Sequence, residues 1–360
     1  WTPGPNGVFT YGSNHKIYVN DNILTGDTYT TAIGNNLNTG NPSDPLATVD
    51  FAVSVAQPGD TIFVDAGTYI TPNFTIGKAL AILGPNYAIE VSDASNRLLY
   101  NNLRNTEAII NNSTITIGSS NINIEGFQFE PLAKTQIQQL NTTLEFSNII
   151  ISRNRFLTSS TTNVINISGR NITPLSSLLY FIVNNRFEKT GGANGNSVVL
   201  NFLNVAYVNG NVFTIANAGL ASLQTAINIG SSGKVDNLNI AGNIFDRTNA
   251  AIATTRFGTT LIDNNITYNC RIGFQLTNTI TEPATVRVIN NEFTNVQING
   301  AINYNRTNTN DITSPSRFIC ENNTVNFDAT GQAAISSAMI FSTISASTVL
   351  TAEIETVIKK

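Results

Sequence analysis

Apolar and polar residues alternate in a motif that recurs along most of this chain. Eight segments follow the order apolar, any, apolar, any, any, Asn, any, aromatic, with one or two exceptions in three of them, and successive segments lie 22 to 32 residues apart. Their final positions, here called anchors, are Phe129, Phe156, Phe187, Phe213, Phe245, Thr267, Phe293 and Val325. Alternation with a period of two indicates a strand with one buried face. Repetition at this interval is typical of a solenoid.

An asparagine lies two positions before the anchor in seven of the eight segments. These residues are Asn154, Asn185, Asn211, Asn243, Asn265, Asn291 and Asn323. Asparagine tolerates the left-handed backbone conformation that a sharp bend requires, and stacked amides can hydrogen-bond to one another along the ~4.7 Å strand repeat. The sequence therefore predicts an asparagine ladder inside a tight turn.

A second strand column follows the anchors after loops of changing length. Its segments are 164–167, 198–201, 226–229, 251–254, 273–276, 301–304 and 334–337. Two such columns, with a third completing each coil, stack in register as parallel sheets whose inward faces pack on one another. We therefore expect an all-β fold, a parallel β-helix, in which the variable loops are the places to look for function.

The first part of the chain follows another pattern. Residues 44–58 predict one α-helix, with Asp44 as its N-cap, Pro45 at its first position and a Pro-Gly pair at its end. Such a helix would cover the open strand edges of the first coil. In the tail, apolar residues at helical spacing predict a cap or a linker; they are Leu350, Ile354, Val357 and Ile358. The expected parts of this single domain are an N-terminal extension (1–43), the capping helix (44–58), the β-helix (59–349) and the tail (350–360).

Composition narrows the range of partners. Only 12% of the residues are charged, against about a quarter in an ordinary soluble domain, and the net charge is −4. So few basic residues provide no footprint for nucleic acid, and no apolar run approaches the ~20 residues of a membrane-spanning helix. Two cysteines, Cys270 and Cys320, cannot form a disulfide framework, and the sequence leaves open whether they pair with each other.

The segment 45–70, PLATVDFAVSVAQPGDTIFVDAGTYI, together with the coils that follow it, resembles the pectate-lyase-like β-helix superfamily. The preceding segment 16–45 is similar to the opening of secreted bacterial surface proteins of that class. The resemblance implies a right-handed parallel β-helix with a short N-terminal capping helix, and an extracellular or bacterial cell-surface location. The superfamily includes lyases, polygalacturonases, pectin methylesterases, phage tailspikes and adhesins, so the fold does not select one function.

The chain departs from the enzymes of that superfamily. Polygalacturonases carry a Gly-His-Gly segment and paired Asp motifs, but the single histidine here is His15, which precedes the predicted helix. The Asp and Arg set of pectin methylesterases has no counterpart. The catalytic residues of these families therefore cannot be transferred to this chain.

The few charges cluster when the segments are aligned on their anchors. Glu188 and Asp246 directly follow anchors two coils apart, and at ~4.8 Å per coil they would lie about 9.5 Å from each other. That distance is near the upper limit for the carboxylate pair of an inverting glycosidase, which makes them candidate catalytic residues. Candidate ligand-binding cations from the same columns are Arg155, Arg186, Lys189 and Arg247. Cations suit an acidic polysaccharide; a solvated column of surface salt bridges is the alternative.

Asp21 and Asp27 lie in an Asn- and Asp-rich stretch before the predicted helix. Their hard oxygen ligands suit calcium, although the spacing matches no defined loop. An ordinary Asn/Gly-rich turn is the alternative, and no other cofactor is expected.

These features favour a secreted or cell-surface domain with an adhesive or structural role, binding a polysaccharide, a cell-surface glycan or another surface protein. Two alternatives stay open. One is a polysaccharide lyase or glycoside hydrolase acting on an acidic polysaccharide. The other is a phage tailspike-like protein, which predicts a stable trimer.

Overall fold

A computed structural model gives the architecture of the chain. The residues that it describes are 15–130, 134–140, 144–158, 162–170, 178–190, 195–216, 225–230, 233–278, 284–296, 300–306, 317–326, 339–343 and 351–357. They form three columns of short strands, and every strand pairs in parallel with its neighbours in the same column. This arrangement is a parallel β-helix, which confirms the predicted fold class.

The first column carries the apolar-x-apolar part of each motif. Its strands are β1 (Lys16–Val19), β2 (Thr61–Val64), β5 (Ala81–Leu83), β8 (Ile122–Glu125), β11 (Ile149–Ser152), β14 (Leu179–Val183), β17 (Leu203–Asn209), β20 (Val235–Ala241), β23 (Phe257–Asp263), β26 (Thr285–Ile289), β29 (Arg317–Asn326) and β31 (Thr351–Val357). The column already begins at β1, inside the stretch expected to be an extension.

The second column carries the anchors. Its strands are β3 (Gly67–Ile70), β6 (Ala108–Asn111), β9 (Gln128–Glu130), β12 (Arg155–Thr158), β15 (Arg186–Thr190), β18 (Val212–Ala216), β21 (Ile244–Asp246), β24 (Ile266–Tyr268) and β27 (Glu292–Thr294), followed by the last part of β29. All eight anchors are buried. Five consecutive phenylalanines, from Phe129 to Phe245, stack with ring centroids 4.7 to 5.1 Å apart.

The third column is the one that the sequence predicted after the variable loops. Its strands are β4 (Phe74–Ile76), β7 (Ile115–Ile117), β10 (Ile137–Gln139), β13 (Ile165–Ser168), β16 (Val198–Asn201), β19 (Thr225–Ile229), β22 (Ala250–Thr254), β25 (Ile272–Asn278), β28 (Ile302–Arg306) and β30 (Met339–Thr343). Six of the seven predicted segments are confirmed here. The seventh, 334–337, lies outside the described residues.

The predicted asparagine ladder is present, between the first and second columns. All seven ladder side chains are buried, and the amide nitrogen of each of the first six donates to the Oδ1 of the next asparagine over 2.8 to 3.3 Å. The same Oδ1 accepts the backbone N–H of the preceding ladder residue. The prediction that the ladder residues themselves have the left-handed backbone conformation is wrong. The residues with that conformation are those just before the ladder: Arg153, Asn184, Gly210, Gly242, Asn264, Asn290 and Asn322.

The capping helix is shorter than predicted. Helix α1 spans Val49–Val55 and buries Val49, Ala52 and Val53. Asp44 isn't its N-cap, because Thr48 holds that position and the Asp44 carboxylate instead accepts the backbone N–H and hydroxyl of Thr39.

The helical structure that the apolar spacing of the tail predicted is wrong for the part of the tail that the structure describes. Residues Thr351–Val357 form β31, which pairs in parallel with β29 and extends the first column. Leu350 and Ile358, which contributed to the predicted spacing, lie outside the described residues.

Candidate functional site

A long connection covers part of the outer face of the second column. It runs from residue 84 to residue 107, between β5 and β6, and is here called the strap. The Arg97 guanidinium donates to the carbonyl oxygens of Gly210 and Gly242, over 2.5 and 2.8 Å. In return, the guanidinium of Arg186 donates to the carbonyl of Leu98 over 2.8 Å. The strap therefore contacts turns that follow it by more than a hundred residues.

Beneath the strap, Glu188 is held between two arginines. Its Oε2 accepts from Arg155 Nε and Nη2 over 3.0 and 2.7 Å, and its Oε1 accepts from Arg186 Nε. The parallel register places the two arginines side by side on β12 and β15. The Arg155 guanidinium also lies 4.2 Å from the centre of the Tyr100 ring, which belongs to the strap. The Glu188 side chain is only 18% exposed.

Two of the four candidate ligand-binding cations are not accessible. Arg186 is 5% exposed because the strap lies over it. Lys189 is 2% exposed and donates to the carbonyl of Gly195. It is two residues from Phe187, so it lies on the inward side of β15, and burial lowers its pKa to about 8. Neither residue presents a free cation to a large ligand, which corrects the set predicted from the sequence.

Asp246 and Arg247 form a separate pair beyond the strap. Arg247 Nη2 and Nε lie 2.7 and 2.8 Å from Asp246 Oδ2. Asp246 is 8% exposed, but the Arg247 side chain is 47% exposed. Through Thr214, the register places Glu188 and Asp246 two coils apart, as the sequence predicted. Each carboxylate is nevertheless bound by an arginine.

The surroundings of Asp246 are polar and half-exposed. Tyr268 lies directly beside it on β24. Burial raises the pKa of Tyr268, and the negative charges of Glu292 and Asp246 raise it further. The turn after each second-column strand has a left-handed backbone conformation in three successive coils, at Arg247, Asn269 and Asn295.

Sequence reasoning missed a second ionic cluster that anchors the strap. Arg104 donates to both oxygens of Glu107, over 2.8 and 3.1 Å, and Glu107 also accepts the hydroxyl of Tyr100. Arg153 bridges Glu90 of the strap and Glu125 of β8, over 2.9 and 2.8 Å. The only signal was the density of charges between residues 90 and 107 in a chain that is otherwise poor in them.

The candidate calcium ligands lie at the N-terminal end of the solenoid. Asp21 accepts the backbone N–H groups of Ile23 and Thr68 and lies between two cavities of about 220 and 280 Å³. Asp27 accepts from the side-chain amide of Asn20 over 2.7 Å. The described residues contain no group of three or more His, Cys, Asp or Glu side chains that could hold a metal ion.

Both cysteines are buried, and neither forms a disulfide within the part of the chain that the structure describes. Cys320 lies in the inward row of the first column, opposite Val288. Burial raises the pKa of both Cys270 and Cys320 to about 11. The described residues contain no helix of the length and apolar character that crossing a membrane requires.

Comparisons with known proteins add little beyond the fold. No family model and no curated protein matches this chain. A rhamnogalacturonan lyase structure is 13% identical, with a TM-score of 0.38, covering 92% of this chain and 87% of the lyase. A polygalacturonase from Erwinia carotovora ssp. carotovora is 11% identical, with a TM-score of 0.35, covering 98% and 99%. The assignment of a parallel β-helix rests on the parallel pairing of the strands and not on these two structures.

Proposed function

We propose that this chain is an extracellular or bacterial cell-surface β-helix domain with an adhesive or structural role. The observation that carries the proposal is that arginine side chains bind both carboxylates of the charged column. Glu188 is taken up by Arg155 and Arg186, and Asp246 is taken up by Arg247. A carboxylate bound in this way is poorly placed to act as the acid or base of glycoside hydrolysis. The cluster of Arg155, Glu188 and Arg186 instead fixes the strap to the solenoid.

We further propose that the domain binds glycan on the surface beyond the strap. Arg247 is the most exposed of the four candidate cations, and the partly exposed ring of Tyr268 lies one coil further along. A guanidinium group matches the carboxylate of an acidic sugar, and an aromatic side chain supplies an apolar surface with a polar tip. This surface is the remaining part of the acidic-polysaccharide site predicted from the sequence.

Incubation with a panel of uronic-acid polysaccharides tests both proposals. We expect saturable binding without new reducing ends or ultraviolet-absorbing unsaturated products. Arg247→Ala should weaken binding by roughly tenfold, as expected for one lost charge-assisted contact. The control Arg170→Ala removes another exposed arginine, whose nearest carboxylate is 3.9 Å away, and should change nothing. Turnover would overturn the non-enzymatic role, and unchanged binding by Arg247→Ala would overturn the proposed surface.

A further inference from the structure

The loop after β1 carries Asp27, a carboxylate at the N-terminal end of the solenoid on which two other carboxylates act. Asp21 and Asp65 both act electrostatically on Asp27. None of the three is within ion-pair distance of a lysine or arginine in the part of the chain that the structure describes. Asp65 is compensated by hydrogen bonds, because its carboxylate accepts the backbone N–H groups of residues 28, 29 and 30. Asp27 instead accepts from two side chains, those of Asn20 and Thr30.

Next to Asp27 lies a fully buried amide, Asn20, whose orientation is fixed. Its Nδ2 donates to Asp27 Oδ2 over 2.7 Å and to the carbonyl of Ala32 over 2.9 Å. Since both partners are acceptors, the nitrogen must be the atom that faces them. Asn20 Oδ1 is then buried with no hydrogen-bond donor, and Asp27 Oδ1 is in the same condition. Buried acceptors of this kind call for a partner.

We propose that Asn20 Oδ1 and Asp27 Oδ1 are ligands of a bound calcium ion. The two orphaned oxygens are hard ligands, and the neighbouring carboxylates supply the negative potential that attracts a divalent cation. A water molecule could satisfy the oxygens but would leave the charge uncompensated. Calcium fits better than magnesium, since it accepts irregular geometry and completes its shell with carbonyl oxygens and water.

The ion would fasten the first loop of the chain to the first coil. Asn20 directly follows β1, and the segment after Asp27 is held by Asp65 at the end of β2. A calcium ion bound by Asn20 and Asp27 would therefore join the start of this loop to the segment that Asp65 holds. Its effect should therefore be a gain in stability of the N-terminal end, independent of any glycan.

Terbium, which replaces calcium and luminesces when a nearby tyrosine is excited, provides the test. The structure places Tyr29 and Tyr69 against Asp65, where they can act as sensitisers. After treatment of the whole chain with EGTA, we expect saturable terbium luminescence, displacement by calcium, and a higher unfolding midpoint with calcium than with EGTA. Magnesium at equal concentration should displace terbium less well.

Two variants and a control locate the ion. Asp27→Asn keeps an acceptor for the Asn20 amide but removes the charge, and should lower terbium affinity by roughly tenfold or more. Asp27→Glu keeps the charge but moves the carboxylate, and should also bind more weakly. Asp93→Asn makes the same charge change at an exposed turn and should bind like the unmodified chain. Absence of saturable binding, or full affinity in a folded Asp27 variant, would overturn the proposal.

Discussion

The asparagine ladder offers a perturbation whose cost can be estimated from the structure. Replacing Asn243 by alanine removes four hydrogen bonds within the buried turn. Its Oδ1 accepts from the backbone N–H and Nδ2 of Asn211, and its Nδ2 donates to Val208 O and Asn265 Oδ1, all over 2.7 to 3.1 Å. At about 1 kcal/mol net for each bond, the loss is about 4 kcal/mol. The stranded N–H of Asn211 makes this a lower bound, because an unpaired buried donor costs more than a bond that is merely absent.

The matched control is Asn290→Ala. Asn290 is exposed and immediately precedes a ladder residue, and its amide donates to a surface carboxylate. Because it has a left-handed backbone conformation, its replacement by alanine should cost about 1 kcal/mol. Urea unfolding followed by circular dichroism would compare the two variants, with the slopes examined because solenoids can unfold in parts. A loss for Asn243→Ala no larger than that of Asn290→Ala would refute the view that the ladder stabilises the turn.

Three further predictions follow from buried polar groups. Gln139 is fully buried with both amide atoms unpaired, beside Ile167 in the same inward row, so Gln139→Ile should raise the free energy of unfolding by about 1 to 3 kcal/mol; a loss would show that internal water satisfies the amide. Burial lowers the pKa of Lys189 from the ordinary lysine value of 10.5 to about 8, so the free energy of unfolding should rise between these pH values, where the unfolded chain binds the proton more strongly than the folded chain. Lys189→Met should be more stable at pH 7 and lack that rise in urea titrations. Glu188→Gln leaves two arginines uncompensated and should cost about 2 to 4 kcal/mol, with faster proteolysis within the strap; unchanged cleavage would contradict the role given to Glu188.

The repeating part of the fold could be predicted because each coil solves the same packing problem. Ile182 and Val208 occupy equal positions in their motifs and pair in register, so the period of two identified the inward row without any tertiary information. The ladder could also be predicted, because asparagine recurs two positions before the anchor. The residue with the left-handed backbone conformation could not be identified from the sequence, because asparagine is common at both neighbouring positions, for example Asn184 and Asn185. Composition alone does not separate the two positions.

The strap could not be predicted, because it lies outside the repeat and its contacts follow no period. Arg97 reaches carbonyl groups that are 113 and 145 residues away, and no local pattern encodes such a contact. The inward placement of Lys189 could have been predicted from the sequence. It lies two residues after the buried anchor Phe187, and residues two apart on a strand share a face.

The contacts of Arg97 alter how this solenoid should come apart. A stack of coils in which each touches only its neighbours unfolds as a one-dimensional chain, fraying from its ends. The strap departs from the third strand of the first column and holds the turn after the eighth, five coil spacings or roughly 24 Å away. The strap thus connects the two ends of this block of coils, and we expect the coils between them to unfold together rather than one at a time. The coils beyond Gly242 should unfold independently of that block.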